Sequence, residues 1–231
     1  MEQIHTIQRR VTCTCDACGQ QDVITIYPRL IIDEMPRLRP FVADGSLFTH
    51  TCSVCHTIYP TPYSMYYVDR RNRLMIIVAI DEKEYQEAVQ LSFSQEIYAW
   101  MMKYINRKGM LRIVRTPLEL SEKTAIAASH YDDRIMEILK YSLMKKLSKQ
   151  TKDVNRLFYN AFNKKEEFAV LFNDGQIGHV DFEKRWYQET ARVYAADLKT
   201  KESPAVIDMN WAKHYAEPVP IEETGEPVSV K

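Results

Sequence analysis

Two stretches decide the reading of this chain: VTCTCDACGQQ (11–21) and DGSLFTHTCSVC (44–55). Each holds a Cys-x-x-Cys pair, Cys15 with Cys18 and Cys52 with Cys55, and 33 residues separate the pairs. Two thiolates three positions apart can curl around one ion, and two such pairs supply four soft ligands for a tetrahedral zinc. Gly19 follows the first pair, where a left-handed turn is needed. All five cysteines lie within the first 55 residues. An odd count of clustered thiols, with no apolar leader in MEQIHTIQRR, points to a reducing compartment, and we expect a cytoplasmic protein. Four thiolates close the coordination sphere and leave no place for a catalytic water, so the expected cofactor is one structural zinc. Cys13 is the spare thiol: it shares a strand face with Cys15 and can replace it, but the x2 spacing favours Cys15. His50 and His56 flank the second pair as further candidate ligands.

Outward from the cysteines the pattern is β. Thr6–Thr12 and Gln21–Tyr27 alternate, Ser46–Thr51 leads into the second pair, and Glu34–Asp44 reads as a short, proline-interrupted helix. Tyr63–Asp69 and Leu74–Ile80 form a hairpin across Asp69-Arg70-Arg71-Asn72. Together these make a zinc ribbon with a helical insertion and a β-hairpin.

The same residues resemble the CpXC domain family, a prokaryotic group with two Cys-x-x-Cys knuckles. VTCTCDACGQQ, DGSLFTHTCSVC and RLMIIVAI (73–80) carry the resemblance, and LRIVRTPLELSEK (111–123) and YDDRIMEILK (131–140) look like the segments that follow in longer members. It spans roughly 10–216. Asp16 and Ser53 stand where the family usually has proline, and His56 where glycine is common. The resemblance implies the fold and the metal, and no biochemical activity.

The remaining two-thirds read as a mainly helical body. Tyr85, Val89, Phe93, Ile97, Trp100, Met101 and Tyr104 recur at helical spacing, giving two helices broken near Leu91–Ser94 with Ser92 and Gln95 as a capping box. These aromatics are expected in the core. Met110–Arg115 is a strand, and Thr116-Pro117-Leu118-Glu119 starts a helix. Ser129 with Asp132 opens another, running to about Ser148 and able to continue to Asn160. Glu167–Phe172 and Ile177–Asp181 pair through Asn173-Asp174-Gly175, a small β-hairpin. Phe182–Leu198 is helical, Ala205–Met209 a final strand, and Trp211 an anchor against the core. The fold class is therefore α+β, with a ribbon domain at 1–81, a mostly helical body at 82–216, and a disordered tail at 217–231 rich in proline and glutamate.

Composition excludes several functions. The 231 residues carry 31 basic and 31 acidic side chains, against a coat for nucleic acid. No apolar run is long enough to cross a membrane. Six glycines make no phosphate or dinucleotide loop.

Three constellations remain. Asp132, Asp133 and Glu137 open a helix, and the i, i+4 pair could face a divalent cation in a hydrolase or nuclease. Their plainer reading is a dipole-favoured first turn, with Glu137 in a surface pair with Lys140 or Arg134. Lys145, Lys149, Lys152 and Arg156 form a basic helical face that could meet a protein or nucleic-acid partner, or simply be solvated. Arg9, Arg10, His50, His56, Arg70, Arg71 and Arg73 could form a rim around the knuckles. The leading expectation is a non-enzymatic, zinc-binding interaction module whose partner and oligomeric state the sequence does not name.

Overall fold

The computed structural model describes residues 4–105, 109–150, 154–161, 165–201 and 203–216. The expected tail at 217–231 lies outside them. The chain is α+β, with seven α-helices and three sheets among the described residues. It divides into two compact units, Met1–Ser121 and Glu122–Lys231.

The first unit is built on a five-stranded sheet of order β1 (Ile7–Thr14), β2 (Gln21–Ile31), β5 (Met65–Asp69), β6 (Leu74–Val78) and β7 (Met110–Val114). β1–β2 and β5–β6 are antiparallel, whereas β2–β5 and β6–β7 are parallel. Every residue of β6, Leu-Met-Ile-Ile-Val, is buried, as expected for a central strand covered on both faces. Parallel neighbours need long crossovers. The β2–β5 crossover carries a 3-10 turn at Pro36–Leu38, α1 (Arg39–Ala43) and a separate two-stranded ladder of β3 (Thr49–Thr51) and β4 (Ile58–Pro60). The β6–β7 crossover carries α2 (Glu82–Leu91) and α3 (Gln95–Tyr104). The first cysteine pair thus sits in the β1–β2 turn and the second in the β3–β4 turn.

This unit extends beyond residue 81 because β7 returns to lie along β6, with Ile76 opposite Arg112. α4 (Pro117–Ala128) begins as expected, with Thr116 Oγ1 accepting the Glu119 N–H and Glu119 accepting the Thr116 N–H. Two local expectations fail. Ser94, not Ser92, caps α3 by accepting the Ile97 N–H, while Ser92 bonds back to the Val89 carbonyl. Phe93, expected in the core, lies in the turn between the helices and is 84% exposed.

In the second unit α5 (Asp133–Gln150) is central. Its Met136, Leu139, Leu143 and Leu147 pack on a meander of β8 (Val154–Asn160), β9 (Glu167–Phe172) and β10 (Ile177–Asp181), where they meet Leu157, Tyr159, Phe168, Val170 and Val180. Another face of α5, with Ile135 and Ile138, meets Leu198 of α6 (Lys184–Thr200) and the end of α7 (Met209–Tyr215). Trp211 joins this cluster and stacks on Tyr215, centroids 4.8 Å apart. The α5 helix does not continue to Asn160. Leu157 and Tyr159 alternate inward on a strand, which the helical reading overlooked. Nor is Ala205–Met209 a strand: Asp208 caps α7 by accepting the Trp211 N–H.

Candidate metal centre

The two cysteine turns are built alike. In the first, Cys15 N–H bonds the Gln20 carbonyl and Gly19 N–H bonds the Cys15 carbonyl, both at 2.8 Å. In the second, Cys52 N–H bonds the Thr57 carbonyl at 3.0 Å and His56 N–H bonds the Cys52 carbonyl at 3.1 Å. Both turns close through a left-handed residue, Gly19 at φ 74° and His56 at φ 59°. Glycine adopts that conformation freely, whereas a side chain at His56 does so at a cost.

The turns bring four sulfurs together. The Sγ atoms of Cys15, Cys18, Cys52 and Cys55 all lie within 4.8 Å of one another. Cys15 and Cys55 are 3.7 Å apart, and Cys18 and Cys52 are 3.6 Å apart. A tetrahedron with metal–sulfur bonds of about 2.3 Å has edges of roughly 3.8 Å, so the donor set fits one tetrahedral ion. Cys15 and Cys52 are buried, while Cys18 and Cys55 are exposed. Val54 N–H points at Cys52 Sγ from 3.5 Å.

Four thiols this close cannot all ionise without a cation. Thr57, through its hydroxyl and its backbone N–H, draws the Cys55 thiol down to about 6. Cys18 goes the other way, to about 12: the Gln20 backbone N–H lowers it, but the sulfurs of Cys55 and Cys52 outweigh that bond. A divalent cation among the sulfurs relieves this competition.

The other candidate ligands face elsewhere. Cys13 Sγ is 3.2 Å from the Tyr59 hydroxyl and bonds the Asp22 carbonyl. His50 Nε2 lies 3.0 Å from Asp22 Oδ2, and His56 is exposed. Asp22 also accepts the Ser53 N–H at 3.0 Å and the Ser53 hydroxyl at 2.6 Å. The Ser53 hydroxyl, then its amide, then His50 hold this carboxyl well below the usual range. Asp22, Ser53, Thr57 and Tyr59 escaped the sequence reading. One signal was present: Asp22 follows Cys18 by four residues, as Tyr59 follows Cys55.

The acidic constellation is buried rather than displayed. Asp133 pairs with Lys123 at 3.0 Å, and Glu137 pairs with Lys140 at 3.1 Å and Lys123 at 3.8 Å. Glu122 completes the group, 2.9 Å from Lys140, and accepts the Tyr159 N–H at 2.7 Å. The Glu137–Lys140 pair was expected at the surface, yet both residues are under 5% exposed. Asp132 stands apart, bonded to the Arg134 side chain and backbone. The charges that a cation would need are therefore taken by lysines.

The basic face breaks up. Lys145 and Lys149 are exposed on α5, Arg156 sits on β8, and Lys152 lies outside the described residues. The arginine rim also divides. β5 lies beside the far end of β2, with Val68 next to Ile31, while Asp22 at the near end pairs with Cys13. Nine residues of strand at about 3.3 Å each put Arg70, Arg71 and Arg73 roughly 30 Å from the first knuckle.

No helix among the described residues is long and apolar enough to cross a membrane. A family model described as CpXC protein matches residues 13–140, which include both knuckles and the start of α5. No curated protein and no solved structure matches the chain.

Proposed function

This chain belongs to the CpXC protein family, and on that premise we propose that it is a zinc-binding interaction module and not an enzyme. The observation that carries the reading is the set of four sulfurs at tetrahedral spacing, two from each of two matched turns. Zinc suits four thiolates in a tetrahedron, and with all four engaged no position is left for substrate or water. The metal's contribution when bound is structural: it ties the β1–β2 turn to the β3–β4 turn, which no strand ladder among the described residues joins. A zinc ribbon is the natural description of that pair of hairpins. Cysteines gathered as metal ligands suit the reducing cytoplasm. The rival reading, a cation-dependent hydrolase at Asp132, Asp133 and Glu137, is disfavoured by the lysines already paired with the last two. The ligand is a protein or a nucleic acid, met by a surface that the cysteine site holds in shape.

Elemental analysis and native mass spectrometry of the full chain, purified in reducing buffer, test the reading. One zinc per chain is expected, retained in Cys13→Ser and lost in Cys55→Ser. Iron in its place, or no metal, overturns it, as does loss of zinc in Cys13→Ser with retention in Cys15→Ser.

A further inference from the structure

Four residues flank the cysteine turns at equal offsets, and they face one another. Cys13 and His50 stand two residues before Cys15 and Cys52; Asp22 and Tyr59 stand four residues after Cys18 and Cys55. Within each hairpin the two are cross-strand partners, Cys13 opposite Asp22 and His50 opposite Tyr59. Between the hairpins they are bonded crosswise, Cys13 Sγ to Tyr59 Oη at 3.2 Å and His50 Nε2 to Asp22 Oδ2 at 3.0 Å. The His50 and Tyr59 rings meet edge to face at 5.7 Å. Asp22 adds two bonds to Ser53, the residue after Cys52.

We infer that Cys13, Asp22, His50 and Tyr59 form a clasp that holds the two knuckles at ligand spacing before any metal arrives. The inference rests on the zinc reading for its purpose, though not for its geometry. The hairpins belong to separate sheets, so without a clasp no shared ladder would hold their turns at ligand spacing, and each metal-binding event would have to order them. Bonds that fix the turns in advance remove that entropy from the binding step. Electrostatics argues the same way. Four thiolates around a divalent ion leave a net negative site, and a carboxylate beside it is unfavourable on charge alone. Asp22 is therefore a positioning residue, as outer partners of metal sites commonly are. The spare thiol has a place in this scheme: Cys13 is a rung of the clasp. The quartet is not a second metal site, since among the described residues only the four sulfurs come together closely enough.

The test uses the full chain, stripped of metal in reducing buffer and titrated with zinc against a chromophoric chelator. Asp22→Ala should weaken zinc about 10- to 100-fold, the usual effect of losing an outer partner. Tyr59→Phe, which removes one bond, should weaken it roughly fivefold. Asp22→Asn should recover part of the loss, because an amide oxygen still accepts from Ser53. At saturating cobalt(II) the clasp variants should keep the full thiolate-to-metal absorption, whereas Cys55→Ser loses part of it. Wild-type affinity in Asp22→Ala, or a diminished cobalt band there, overturns the clasp while leaving the zinc reading intact. If the unaltered protein binds neither zinc nor cobalt, the zinc reading fails, and a metal-free measurement judges the clasp. Diamide, which takes two hydrogens from a thiol pair, should link Cys15 to Cys55 and Cys18 to Cys52 in the unaltered chain. In Asp22→Ala it should shift toward Cys15–Cys18 and Cys52–Cys55. Identical pairing in both proteins, mapped by mass spectrometry, overturns the proposal.

Discussion

The two units bury ionisable carboxyl groups in opposite surroundings. Among its described residues the first buries one carboxylate, Asp69, and surrounds it with donors: Arg39 at 2.6 and 3.4 Å, and the side-chain and backbone amides of Asn72. Among the described residues, the second gathers three buried carboxylates, Glu122, Asp133 and Glu137, around Lys123 and Lys140. Burial opposes ionisation at Asp69, yet Arg39 and Asn72 outweigh it and hold the group below its ordinary 3.8. At Glu137 burial prevails over Lys140 and Lys123, with Glu122 adding repulsion, and the carboxyl is raised above its ordinary 4.5. Burial also works against the Lys140 charge, but Glu122 and Glu137 hold its proton more tightly than usual. A buried carboxylate ringed by donors is thus held in its ionised form more firmly than usual, while one among like charges is held more firmly in its protonated form.

The comparison is most easily broken at Lys140. Lys140→Met takes from buried Glu122 and Glu137 the lysine that lies about 3 Å from both, and should cost about 3–5 kcal/mol in the second unit. Hydrogen exchange read region by region would locate the loss. A cost under about 1 kcal/mol would mean the buried carboxylates do not depend on Lys140 and the contrast is empty. Arg39→Met should cost less, about 2 kcal/mol, because Arg39 is a third exposed and Asn72 still donates to Asp69. Its loss should appear in the first unit alone.

The contrast in sign gives the finest test. The folded chain holds the Glu137 proton more tightly than the unfolded chain. That stabilisation is complete below pH 4.5 and is lost as pH rises through the folded value. Asp69 behaves inversely: its contribution is complete above pH 3.8 and is lost as pH falls through its folded value. Glu137→Gln should therefore flatten a decline of up to ~1.4 kcal/mol per pH unit in the second unit, measured by denaturant unfolding on the alkaline side. A slope that survives the substitution assigns the proton to another group.

What the chain disclosed in advance was local chemistry. The Cys-x-x-Cys spacing located both turns, Thr116 with Glu119 marked the start of α4, and Asn173-Asp174-Gly175 placed the β9–β10 hairpin. Each signal lies within a few residues and depends on no distant partner. Apart from the α2–α3 turn and the Asp208 cap, which are local, the failures needed long-range knowledge. Acids and lysines at i, i+3 and i, i+4 look like a solvated helix face, and only the packing of α5 on two sides buries them. Val154–Asn160 followed a basic helix with no glycine or proline between, so nothing local announced a change of period. Arg70, Arg71 and Arg73 follow the second knuckle closely in sequence, but the parallel register of β5 on β2 sends them to the other end of the sheet. The clasp was hidden for the same reason, since its bonds join residues 28 and 46 positions apart.

Each cysteine turn contributes one buried sulfur and one exposed one. This asymmetry bears on kinetics rather than affinity. A competing chelator or an electrophile approaches from solvent and meets Cys18 and Cys55 first, one from each hairpin. Cys15 and Cys52, at 1% and 0% exposure, are shielded and would be the last to let go. Departure of an ion would run through a two-sulfur stage that still spans both hairpins, so the two hairpins would stay joined until the final exchange step.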